Sequence, residues 1–115
     1  MGQPVVHYEI RATDPEAARA FYGKLFGWAF PPALEPGYTY VDTGREGGIP
    51  GGIGQAPGDT GMVTFFVEVD DVAEALATAA SLGGTIVRPA TDLPGVTFGL
   101  FADPEGLVIG VSHNG

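Results

Sequence analysis

The sequence predicts an α+β fold. Two tandem βαβββ modules place their strands as a curled mixed sheet around a cleft, with the helices outside. Three observations predict it. A strand, a capped helix and a glycine stop follow one another in His7–Trp28 (HYEIRATDPEAARAFYGKLFGW), and a weaker version of that order returns from Met62 to Gly84. A shift of 57 residues lays Asp14 on Asp71, Ala18 on Ala75, Leu25 on Leu82 and Gly27 on Gly84. A shift of 58 lays Gly37 on Gly95, Thr39 on Thr97, Tyr40 on Phe98, Gly48 on Gly106, Gly52 on Gly110 and Ile53 on Val111. A repeat of half the chain implies units that cannot bury their apolar faces alone. At 115 residues the chain is expected to form one domain, residues 1–115. Its first module covers about 4–55 and its second about 62–114, with APGDTG at 56–61 as the linker.

Each element has a local reason. Val5 to Thr13 alternates: Val6, Tyr8, Ile10 and Ala12 face one way, and Val5, His7, Glu9, Arg11 and Thr13 the other. Asp14-Pro15-Glu16 supplies an N-cap, a proline in the first turn and an acid near the positive helix end. Ala18, Phe21, Tyr22, Leu25 and Phe26 recur at helical spacing as one apolar stripe, and Gly27 stands where a left-handed cap is wanted. Pro31, Pro32, Pro36 and Gly37 break the chain. Tyr38–Thr43 reads as a strand, Gly44–Gly48 as a turn and Ile49–Gln55 as a glycine-rich strand. Met62–Val69 is an apolar strand. Asp70 and Asp71 offer a second N-cap, and Val72, Ala75, Leu76, Ala79 and Ala80 form a second stripe, stopped by Gly83-Gly84. Strands follow at Thr85–Arg88, Val96–Ala102 and Leu107–His113. Asp103-Pro104-Glu105-Gly106 is a tight turn between the last two.

Composition excludes several function classes. Fourteen acids against five Lys and Arg give a net charge of −9. Such a surface repels phosphate backbones and anionic lipid, so neither nucleic acid nor a membrane is an expected partner. No apolar run approaches the ~20 residues that span a bilayer. With no cysteine, disulfides, thiolate nucleophiles and Cys-ligated zinc are out, and a cytoplasmic location is expected. The N-terminus has no basic region followed by an apolar run, so no signal peptide is expected. The cluster Gly47-Gly48-Ile49-Pro50-Gly51-Gly52 has no helix behind it. A phosphate-cradling loop needs one, so a bulged strand or a flap is expected instead. No Gly-x-Ser-x-Gly elbow is present.

Five stretches form a further pattern: His7 before Asp14, AFYGKLFGW at 20–28, FFVEVDDV at 65–72, LGGTIV at 82–87 and FADPEGLVIGV at 101–111. In these the chain resembles the vicinal oxygen chelate superfamily, which includes glyoxalase I, bleomycin-resistance proteins and extradiol dioxygenases. It is similar, more narrowly, to small glyoxalase-like proteins. The resemblance implies that a metal-dependent member would take ligands from positions 7, 52, 64 and 110. Those are His7, Gly52, Thr64 and Gly110 here. Only His7 ligates well, and a catalytic divalent site needs about three protein ligands. No metal and no other cofactor is therefore expected. The resemblance also implies a homodimer.

The candidate site residues are His7, Glu9, Thr64, Phe66, Glu68 and Phe98. His7 and Glu9 lie two apart on one strand and share a face, so they could do acid–base work or line a pocket. Arg11 and Glu68 are repeat-equivalent and could pair, or Glu68 could join His7 and Glu9. Phe66 and Phe98, with Trp28 and Tyr40, offer aromatic surface for a planar ligand or for core packing. His113 is expected at the surface. The reading is a protein that binds a small apolar or aromatic molecule. The alternatives are a metal-independent or atypical-metal lyase, isomerase or hydrolase acting on a small carbonyl compound through His7 or Glu9, and an accessory module with a vestigial cleft.

Overall fold

In the computed structural model, which describes residues 2–32 and 37–114, Asp14 and Asp71 both act as the expected N-caps. Asp14 accepts from the Ala17 amide at 3.1 Å and Asp71 from the Glu74 amide at 3.0 Å. They open α1 (Pro15–Phe26) and α2 (Val72–Ser81). Gly27 ends α1 in the left-handed region at φ 72°, and its amide donates to the Gly23 carbonyl. α2 is capped at Leu82, with Gly83 beyond it at φ 99°. These repeated local devices produce an α+β chain of seven strands and two helices among the described residues.

The chain divides into two compact units. One is His7–Val63, and the other is Thr64 onward together with the N-terminal residues up to Val6. In the first, β1 (Val5–Ala12) runs parallel to β3 (Gly51–Gln55), and β2 (Thr39–Tyr40) is antiparallel to β3. In the second, β4 (Met62–Glu68) is parallel to β7 (Val108–His113). β7 is antiparallel to β6 (Val96–Ala102), which is antiparallel to β5 (Thr85–Leu93). The second unit is the complete βαβββ arrangement. Among the described residues the first falls one regular strand short: between α1 and β3 the chain forms the two-residue β2 and an isolated bridge, Ala29 with Asp42. The strand expected over Tyr38–Thr43 shrinks to two residues, and the one expected from Ile49 starts at Gly51. The break expected at Pro36 lies outside the described residues. β5 runs on past Arg88 through Pro89 to Leu93. An edge strand tolerates proline, and the register slips there between Arg88 and Thr91.

The two helices bury their stripes differently. Val72 and Leu76 of α2 are 3% and 2% exposed, in a core with Val69 and Val111. α1 buries no residue, and Phe21, Leu25 and Phe26 are 59%, 57% and 57% exposed. The single stripe expected there is split. Tyr22 takes the inward position, its ring 5.8 Å from Trp28, which lies 6.2 Å from Tyr8 on β1. Ala18 is half-buried on the same side. At 100° per residue Phe21 then points well away from the sheet.

Candidate functional site

The first unit gathers its polar groups on one face of β1. His7, Glu9 and Arg11 alternate along that strand and so point the same way. Tyr38, just before β2, lies across them. Its ring occupies the space over Gly52 and Gly54 of β3. A Cβ built on Gly54 would stand 2.8 Å from Tyr38 Cδ2 and 2.6 Å from Arg11 Nη1, and one on Gly52 would collide with the phenol. Two side-chain-free residues on one face of a strand thus make a slot one ring deep. The Arg11 guanidinium sits 5.2 Å from the ring centroid. Arg11 Nε donates to Glu9 Oε1 at 2.8 Å, which pairs a carboxylate that is otherwise buried.

The phenol joins this pair to the histidine. Tyr38 Oη lies 2.8 Å from His7 Nε2 and also hydrogen-bonds Glu9. A carboxylate only accepts, so the phenol donates its one proton to Glu9. Oη is then left to accept from His7 Nε2. Burial pushes the His7 pKa below its ordinary value. Glu9 opposes that shift and Arg11 adds to it. Burial, with Glu9 next in size, pushes the Tyr38 phenol far above its ordinary value. The cluster is therefore a neutral imidazole hydrogen-bonded to a phenol that stays protonated.

The candidates of the second unit form a different surface. Thr64 is buried, and its hydroxyl donates to the Val108 carbonyl at 2.7 Å. Phe66 pairs with Gly110 across the parallel β4–β7 register and lays its ring over that glycine. Phe98 meets Phe66 edge to face at 6.3 Å, with Arg88 5.1 Å from its own centroid. Glu68 Oε2 accepts from His113 Nδ1 at 2.9 Å, and the Val69 carbonyl accepts from the same nitrogen. His113, expected at the surface, is half-buried because β7 ends with its ring beside these two acceptors. Of the two readings of Arg11 and Glu68, as a pair or with Glu68 beside His7 and Glu9, the ion pairs formed are Arg11 with Glu9 and Glu68 with His113.

Tyr38 is the residue that sequence reasoning missed. The signal for it was the Gly52–Gly54 pair, whose spacing of two opens room on one face for a large ring.

The four positions at which a metal-dependent relative would hold its ion do not fit one here. A side chain at 52 would run into Tyr38, and one at 110 into Phe66. The Thr64 hydroxyl is spent on a carbonyl. Among the described residues no three His, Cys, Asp or Glu converge on a point that could hold a metal ion. Among them, too, no helix is long and apolar enough to cross a membrane.

Comparison with known proteins agrees with this architecture. Over 111 residues the chain is 27% identical to a protein of Mycobacterium tuberculosis (strain CDC 1551 / Oshkosh) provisionally named glyoxylase CFP32, matching 90% of this chain and 42% of that protein. The chain thus spans less than half the length of the curated relatives it matches. A glyoxalase/bleomycin resistance protein/dioxygenase superfamily member from Vibrio splendidus 12B01 superposes with a TM-score of 0.64 at 14% identity, over 97% of this chain and 99% of that one. The Mn(II)-bound glyoxalase from Novosphingobium aromaticivorans superposes with a TM-score of 0.60 at 20% identity, over 96% of this chain and 38% of that one. Both likenesses are to the fold. The glyoxalase-like domain family model matches residues 7–112, nearly the whole chain, and the protein belongs to the glyoxalase-like domain family of the vicinal oxygen chelate superfamily.

Proposed function

We propose that this domain binds a small apolar or aromatic molecule without a catalytic metal. The observation that carries the reading is the pair of rings over glycine. Tyr38 over Gly52 and Phe66 over Gly110 fill the places of two ligand side chains with aromatic surface. What remains beside His7 is an orienting polar group set among rings: Tyr40 lies edge-on to His7 at 6.3 Å and is 44% exposed. Exposed aromatic edge next to a fixed donor–acceptor pair suits a planar ligand carrying one or two polar atoms.

The test has two arms. Protein incubated with Zn(II), Mn(II), Ni(II) or Co(II) and then desalted is expected to retain far less than one ion per chain and to keep its melting temperature. Stoichiometric retention would overturn the metal-free reading. A panel of planar aromatics is expected to contain compounds that raise the melting temperature by mass action, and the Tyr40→Ala variant is expected to lose that rise.

A second reading rests on the His7–Tyr38 hydrogen bond. A neutral imidazole, kept so by burial and oriented by the phenol, is a candidate base for proton removal from carbon next to a carbonyl. It is supported if solvent deuterium enters a small carbonyl substrate and His7→Ala abolishes that exchange while the fold persists.

A further inference from the structure

The second unit holds a cavity of about 610 Å³ between α2 and its strands, within the range of small-molecule pockets. None of the site residues described above lines it. Its floor is apolar and includes Val67, Ala75, Phe101 and Val111. Three of these, Val67, Ala75 and Phe101, are the partly buried side chains packed on the Val69–Val72–Leu76 core, so the core of this unit is open on this side.

Every charged residue that lines the cavity is acidic. Asp70, Asp71, Glu74 and Asp103 line the cavity, and no Lys, Arg or His does. Two of these carboxylates have a structural duty: Asp71 caps α2, and Asp103 accepts from the amides of Glu105 and Leu107. Among the described residues, no hydrogen bond or ion pair engages the carboxylates of Asp70 and Glu74. The N-terminus of α2 offsets about half a unit of charge, so four carboxylates leave the rim strongly negative.

An apolar floor under such a rim selects both halves of an amphiphile. We infer that this cavity binds an organic cation with an apolar body, an arylalkyl- or alkylammonium ion. The body lies on Val67, Ala75 and Phe101, and the ammonium group faces Asp70 and Glu74. This site is separate from the His7 cluster and does not depend on the function proposed for it.

Three probes of one shape test it by calorimetry and by amide chemical shifts: 4-phenylbutylammonium, 4-phenylbutanol and 4-phenylbutyrate. At low salt the ammonium ion is expected to bind about tenfold tighter than the alcohol, through its charge pairing at the rim. The butyrate is expected not to bind. Added salt is expected to shrink the advantage of the ammonium ion. The double variant Asp70→Asn/Glu74→Gln changes exposed residues that cap nothing, so it is expected to fold normally and lose most of that advantage. Ala75→Leu fills the floor and is expected to block both the ammonium ion and the alcohol.

Shifts are expected in α2 and around 101–104. Equal binding of ammonium and alcohol, no binding at millimolar concentration, or shifts confined to His7–Val63 would each overturn the proposal. So would a wild-type dimer that Ala75→Leu dissociates, because the groove would then belong to a second copy of the chain.

Discussion

The two modules meet the same glycine with different rings. In the first, Gly52 lies under Tyr38, a phenol tied to His7, Glu9 and Arg11. In the second, Gly110 lies under Phe66, which has no polar atom and packs edge to face with Phe98. The helices divide in the same sense. α2 closes an apolar core through Val72 and Leu76, whereas α1 is held through Tyr22 and its ring contact with Trp28. The two copies thus place different chemistry on the shared position: a phenol inside a polar cluster in the first, and an apolar ring packed on a second ring in the second.

Removing the apolar ring should break that division most severely. Phe66 is almost fully buried, so Phe66→Ala is expected to cost about 3–5 kcal/mol by urea denaturation. A loss below about 1 kcal/mol would mean that the ring contributes little to the core. The helices give the next largest contrast. Leu76→Ala is expected to cost about 2–5 kcal/mol, and Leu25→Ala, at an exposed site, no more than about 0.5 kcal/mol. Similar losses would show that the outer face of α1 is covered in solution.

The smallest effect is a pH dependence confined to the first module. The folded state holds the His7 pKa below its ordinary value of 6.5. On acidification the unfolded chain therefore takes up this proton first. Its contribution to stability is complete above that value and is lost as pH falls below it toward the depressed folded value. Between about pH 7.5 and pH 5.5 the urea midpoint of the wild type is expected to fall more than that of His7→Gln. Parallel curves would remove His7 as the cause.

Much of this was legible because it is local. The Asp14 and Asp71 caps, the Gly27 stop, the Asp103–Gly106 turn and the full span of β6 follow from residues within a few positions of one another. What was not legible depends on distant partners. Phe21, Tyr22, Leu25 and Phe26 satisfy a helical stripe in more than one rotation, and only the Trp28 ring decides that Tyr22 turns inward. β5 passes through Pro89 because it is an edge strand. His7 and Glu9 were placed on one face by alternation alone. The phenol that joins them comes from a residue 31 positions beyond His7.

The fit of ring and glycine also constrains how this sequence can change. A larger residue at 52 or 110 has no room while the ring stays, and a smaller residue at 38 or 66 leaves a void while the glycine stays. Each position holds its partner in place, so a side chain able to ligate an ion can enter only when both members of a pair change together. A route from this sequence to a metal-binding one therefore runs through double substitutions. Evolution by single steps works as a ratchet here, and a designer would have to remove the ring and introduce the ligand in one move.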